Sequence, residues 1–242
     1  MVLRPIVSIF LAFLTAAPAQ AGDGIDGRYG RTEIRYLAGK PAVFHQGRNV
    51  LTVNEADEAA IFHVVPAASQ DYVVIKSWKP GLSCHNSYRL ISIQPNGTVQ
   101  ASPELGNCTD LAGVSLAGSN PIIHLRQAAG AKVEQLIWKD GRVIELPPVS
   151  EACFTKHEQG MEKGGRIKSP QAGPVTAAGE SRLQFYSGPD ESCPIAGTFV
   201  VPGDHLDVSS VNGRYSLVVY QHPRTGKIAV GWVDSVRLKP TR

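Results

Sequence analysis

The sequence predicts an all-β chain: an N-terminal antiparallel β domain, built as a meander or a sandwich, followed by a small C-terminal barrel. Three observations carry this prediction. Short segments rich in Val, Ile, Phe and Tyr recur between turn residues, at 32–36, 59–65, 71–78, 88–93 and 132–138, as strands require. The dipeptides Asn96-Gly97 and Asp140-Gly141 lie between apolar runs and accept the positive φ that tight hairpin turns demand. No long window places apolar residues at helical spacing.

Taken in chain order, residues 1–21 read as a secretory signal peptide. Arg4 precedes an apolar run from Ile6 to Leu14, and Ala19 and Ala21 supply the small residues of a cleavage site. That run is about half of the ~20 apolar residues a bilayer-spanning helix needs, and no later stretch comes close, so no membrane span is expected. Residue 22 is Gly, which excludes the cysteine of a lipid-anchored product. The expected location is periplasmic or secreted.

Residues 22–150 form the predicted antiparallel β domain. His63 and His124 lie inside its apolar strands, where a hydrogen-bonded buried imidazole is the expected role. Its densest acidic stretch is Asn54-Glu55-Ala56-Asp57-Glu58. The stretch lacks the ligand spacing and the Gly of a calcium loop and reads as a solvated turn. Residues 151–176 follow as a short helix and linker. Ser150 is placed to cap a helix over 151–161, Gly160 weakens its end, and the Gly-, Pro- and Lys-rich run 162–180 shows no apolar period.

Residues 177–242 contain short strands joined by Ser187-Gly188-Pro189, Pro202-Gly203-Asp204, Asn212-Gly213 and Thr225-Gly226, and close on Gly231-Trp232-Val233. Gly188 and Gly203 suit sharp turns, Pro189 pre-sets φ, and residues 216–220 alternate as a strand with one face inward. The order and spacing of Ser187-Gly188-Pro189, Gly197-Thr198, Gly203-Asp204 and Gly231-Trp232-Val233 resemble the bacterial SH3-like domain, a five-stranded barrel carried by secreted and envelope proteins. The chain has Gln184-Phe185-Tyr186 where that family usually has Asn, a small apolar residue and Arg. The resemblance covers the last quarter of the chain. It implies a shallow aromatic groove for a wall peptide or a peptide segment of a partner protein, here from Tyr186, Tyr215 and Trp232. Barrel packing is the competing role for Trp232 and at least one Tyr.

The four cysteines, Cys84, Cys108, Cys153 and Cys193, allow three pairings. An exported chain with an even count is expected to be disulfide-bonded throughout. Strand and turn signals between Cys84 and Cys108 favour that pair, leaving Cys153 with Cys193 to tie the helix to the barrel. Closing the first loop stabilises by roughly 3–4 kcal/mol on the chain-entropy model. His157 follows Cys153 by one helical turn, which opens a thiolate-and-base reading for a wall hydrolase. Export weighs against a free thiol.

No serine-hydrolase elbow, zinc motif, phosphate loop or dinucleotide fingerprint occurs, so no catalytic residue, metal or cofactor is assigned. The formal net charge of +3, without a basic run interleaved with aromatics, gives no nucleic-acid footprint. The sequence therefore points to an exported, non-enzymatic envelope protein. Its expected partner is a cell-wall peptide, in the manner of a peptidoglycan-binding module, or an envelope or secreted protein. The alternative is a periplasmic immunity or inhibitor protein that neutralises a secreted toxin or hydrolase.

Overall fold

The computed structural model describes residues 24–81, 86–106, 108–127, 130–164 and 174–241. The signal-peptide reading and Cys84 fall outside the described residues. Within them the chain is nearly all β, as predicted, with a single α-helix.

The N-terminal part consists of three four-stranded antiparallel meanders in succession. The first contains β1 (Ile25–Gly27), β2 (Gly30–Leu37), β3 (Lys40–His45) and β4 (Arg48–Thr52). The second contains β5 (Glu58–Pro66), β6 (Asp71–Trp78), β7 (Ser87–Ile93) and β8 (Val99–Ala101). The third contains β9 (Thr109–Ala117), β10 (Asn120–Gln127), β11 (Lys132–Lys139) and β12 (Arg142–Ser150). In each the spatial order is the chain order, so every connection is a local hairpin.

Two of those hairpins carry the dipeptides noted in the sequence. Asp140 and Gly141 both have positive φ, 52° and 75°, and Lys139 pairs with Arg142 across a two-residue turn. Asn96-Gly97 sits in a wider loop, with only Gly97 at positive φ, because Gln94 N–H bonds Thr98 O and Gly97 N–H bonds Gln94 O.

The meanders stack because their central strands bury both faces, so successive residues feed opposite cores. Val73, Ile75, Ile91 and Ile93 of the second meander pack with Val43 of the first. The intervening residues Tyr72, Val74, Tyr88 and Leu90 pack with Ile123, Leu125 and Trp138 of the third. Each fully buried Val, Leu or Ile contributes about 1.5–3 kcal/mol of transfer free energy.

One expectation fails here. His63 is exposed, because the register of edge strand β5 slips between Ile61 and His63 and the bulge turns the imidazole out of the core. The acidic stretch at 54–58 is a turn pinned at its ends, Asp57 by Lys40 at 2.8 Å and Glu55 by Arg89 at 3.5 Å.

The helix α1 (Glu151–Gly164) follows β12 directly. Ser150 caps it as expected, its Oγ accepting from Cys153 N–H at 3.3 Å. The helix runs through Gly160 rather than ending there. The glycine is required by contact: a Cβ at 160 would lie 2.8 Å from Pro189 Cγ and 3.1 Å from Trp232 Cζ2.

The C-terminal part is one seven-stranded antiparallel sheet, curled into a half-barrel. Its strands are β13 (Pro174–Ala177), β14 (Leu183–Tyr186), β15 (Pro194–Val200), β16 (His205–Asn212), β17 (Tyr215–Gln221), β18 (Ile228–Asp234) and β19 (Leu238–Pro240), in the order β15-β14-β18-β17-β16-β13-β19. The end of the expected linker is thus strand β13, paired with β16 and β19. Inside the curl lie Leu183, Phe185, Ile195, Val200, Leu206, Val208, Val218 and Val233.

Strands β17 and β18 bury a second face as well, against the expectation of one inward face for 216–220. Val219 and Ile228 pack on Ala117, Ile122, Ile137 and Leu146 of the third meander. The C-terminal sheet is therefore docked on the meander stack, with α1 wedged beside the contact.

Candidate functional site

Two places in the fold concentrate chemistry. The first is the surface the sequence singled out. Tyr186 ends β14 and Tyr215 opens β17, and their rings meet edge to face with centroids 5.8 Å apart, both half-buried. Around them Arg214 bonds Asp234 at 2.7 and 2.9 Å and Glu191 at 2.8 Å. Burial pushes the Tyr215 phenol upward. The result is a small aromatic step with charged walls.

Trp232 does not belong to that step. It pairs through the backbone with Tyr186 and shares the outer face of the curl with it, but its side chain is fully buried beneath α1. Its indole N–H donates to His157 Nδ1 at 3.1 Å. The groove residues of the sequence reading are thus divided between a surface pair and a seam.

The seam is the second place. It lies where β9, β10 and β11 of the third meander face α1 and the C-terminal sheet. Cys153, on the first turn of α1, is disulfide-bonded to Cys193 ahead of β15, with 5.7 Å between Cα atoms. The pairing expected from the sequence is present, and the thiolate reading of Cys153 falls with it. Cys108 is also disulfide-bonded. The bridge brings α1 onto the loop 187–193, where Gly188 lets the backbones meet. A Cβ there would sit 2.8 Å from Cys153 O. Close approach, not positive φ, explains this glycine, whereas Gly203 has φ 97° and does need left-handed freedom. Lys156 reinforces the joint by pairing with Asp190 at 2.8 Å and donating to Ser192 Oγ at 2.9 Å.

Behind the bridge lie two buried imidazoles with ring centroids 5.3 Å apart, His124 of β10 and His157 of α1, with Phe154 beside both. Burial lowers both basicities: His157 falls to about 4 and His124 well below its ordinary value. Both rings are therefore neutral at pH 7, and their bonds fix the tautomers. Indole N–H only donates, so His157 Nδ1 is the acceptor and its proton is on Nε2. That Nε2 is buried with no hydrogen-bond partner.

Gln135 Nε2 donates to His124 Nδ1 at 3.2 Å, so His124 carries its proton on Nε2 and donates it to Ser115 Oγ at 2.7 Å. Ser115, His124 and Gln135 resemble a nucleophile, base and orienting group in spacing, but the polarity is reversed. A base must present a lone pair to the serine, and this imidazole presents N–H.

Between β9 and α1 the seam stays open. A cavity of about 210 Å³ is lined by Ser115, His124, Phe154, His157, Glu158 and Met161. It shares Val114, Ser115 and Met161 with a wider groove of about 510 Å³ that runs toward Arg28 and β16. Arg28 is already committed, bonding both carboxylate oxygens of buried Asp71 through Nε and its own backbone N–H. Among the described residues no group of three or more His, Cys, Asp or Glu is arranged to hold a metal.

Sequence reasoning identified His157 and His124 singly but missed Ser115, Glu158 and Met161. They come from a strand and a helix distant in the chain, and nothing local marks them. Comparison with protein-family models, with curated proteins and with solved structures finds no match to this chain.

Proposed function

We propose that this chain is an exported, non-catalytic protein of the cell envelope that binds a wall peptide or a partner protein, with residues 177–242 acting as an SH3-like binding module. The observation that carries the reading is the Tyr186–Tyr215 step, an accessible aromatic pair held on a rigid curled sheet between ionic walls. Amphipathic rings in fixed positions give contact area at little entropic cost, which suits peptide recognition. The Cys153–Cys193 bridge supports an oxidising location outside the cytoplasm. The reversed polarity at Ser115 supports binding over nucleophilic chemistry.

The test is co-sedimentation of residues 22–242 with purified peptidoglycan, alongside a Tyr186→Ala, Tyr215→Ala double variant. The wild type is expected in the pellet. The double variant should lose at least about tenfold in affinity, the size of one aromatic hot spot. Wild-type protein left wholly in the supernatant removes the wall-peptide reading.

A further inference from the structure

The seam cavity has chemistry that the Tyr186–Tyr215 step does not use. Its lining offers a serine hydroxyl, with a buried imidazole N–H close behind it, and no cation. Ser115 Oγ accepts from His124, which leaves its own hydrogen free, and His157 holds an N–H without a partner. A buried donor left unpaired is costly, so an acceptor brought within its reach gains what the protein alone forgoes.

One wall is apolar, from Val114, Phe154 and Met161. On the same helix as Phe154 and Met161 the rim carries two carboxylates one turn apart, Glu158 and Glu162. The cation that acts on Glu158 is Arg126, and both its Nε and Nη2 are bonded by the Glu151 carboxylate. The rim therefore keeps negative charge to spare.

Donors for a carbonyl, an apolar wall for a small side chain and carboxylates for an ammonium together describe one kind of guest. We propose that the cleft between β9 and α1 binds the free-amine end of a short peptide, with the ammonium at Glu158 and Glu162 and the first carbonyl at Ser115 and His157. The peptide continues along the wider groove, whose volume lies within the ~300–1,000 Å³ usual for ligand sites. This inference rests on the binding-protein reading and adds to it a second place and a ligand class. Anionic ligands are disfavoured by the two glutamates and by the prior engagement of Arg28.

Gly113 makes the cavity possible. It sits on β9 opposite His124, and a Cβ there would meet Glu158 Oε1 at 3.5 Å and Phe154 Cζ at 3.6 Å, ordinary contact distances. A valine at this position therefore fits the strand while its methyl groups occupy the cleft.

Met161 is the only methionine after Met1, so residues 22–242 labelled with methyl-13C methionine give one signal, inside the cleft. The probes are L-alanyl-L-alanine amide and its N-acetyl form. The free amine is expected to shift the Met161 methyl saturably, and the acetylated form to bind at least about tenfold more weakly. Glu158→Gln with Glu162→Gln should weaken the free amine by about the same factor, and Gly113→Val should abolish the shift with the fold intact. Equal affinity for the two probes, no saturable shift at all, or undiminished binding in Gly113→Val overturns the proposal. Should Gly113→Val not fold, the acetylated probe and the glutamine pair decide alone. Retention on peptidoglycan with a silent Met161 sinks only the cleft, whereas a responsive Met161 in protein that peptidoglycan does not retain sinks only the wall reading.

Discussion

The second and third meanders meet along a continuous apolar interface. Tyr72, Val74, Tyr88 and Leu90 close directly on Ile123, Leu125 and Trp138, with Tyr72 and Trp138 edge to face at 5.9 Å. The third meander and the C-terminal sheet meet differently. Their direct apolar contact is smaller, and a helix, a disulfide, an ion pair and two buried imidazoles complete it. The meanders present the apolar faces of their central strands to one another. A curled sheet packs its apolar side chains on its neighbour through two strands, β17 and β18, and the rest of the gap is filled by something else. Filling it with a helix leaves polar groups buried and a cleft open, so the less perfect interface is also the one with chemistry.

The largest effect that separates the two interfaces comes from cutting the bridge. Closing a loop of sequence separation 40 stabilises by about 4 kcal/mol on the chain-entropy model. Cys153→Ser with Cys193→Ser should lower the urea midpoint accordingly. Amide hydrogen exchange should quicken first in α1 and β18, with β6 and β7 still protected. Uniform loosening of both interfaces would mean that they do not differ as described.

The alternation of Val, Ile and Tyr was enough to place the strands, because a period of two is a local property of the chain. Continuous apolar runs such as Tyr72-Val73-Val74-Ile75 also announce burial on both faces. What covers each face is not local, so the division into three stacked meanders was not legible. His63 misled because a bulge changes the phase of the alternation without changing composition. Trp232 had two readings, groove and barrel packing, and its place outside the curl, buried under α1, is one that neither anticipated. The even cysteine count led to the Cys153–Cys193 bridge. The cleft left no trace, since Ser115, Glu158 and Met161 meet only after α1 docks.

A second, smaller difference is sensitivity to acid. Burial holds His157 at about 4 in the folded state against an ordinary 6.5. Between those values the unfolded chain binds the extra proton, so stability rises with pH there. The full contribution, about 3 kcal/mol from His157, is present above pH 6.5 and is lost as the pH falls through 6.5 toward 4. His124, also lowered by burial, acts in the same direction. His157→Gln keeps an acceptor for the Trp232 N–H but cannot titrate, so its urea midpoint should vary less between pH 7 and pH 4 than that of the wild type. Identical slopes for the two proteins would place the acid-sensitive groups outside the seam.

The smallest effect tests how tightly the helix is seated, and its sign is the informative part. Alanine in a helix interior is favoured over glycine by about 1 kcal/mol, so a helix resting loosely on the sheet would gain from Gly160→Ala. At this position the added Cβ would stand 2.8 Å from Pro189 Cγ and 3.1 Å from Trp232 Cζ2. Trp232 is fully buried and Pro189 is rigid, so neither retreats cheaply, and overpacking of this kind costs about 1–3 kcal/mol. The net expectation is a loss of about 1 kcal/mol in urea unfolding, with the indole N–H resonance of Trp232 displaced as its bond to His157 lengthens. A gain in stability with that resonance unmoved would show that α1 has room to lift, and the seam would then be a hinge instead of a clamp.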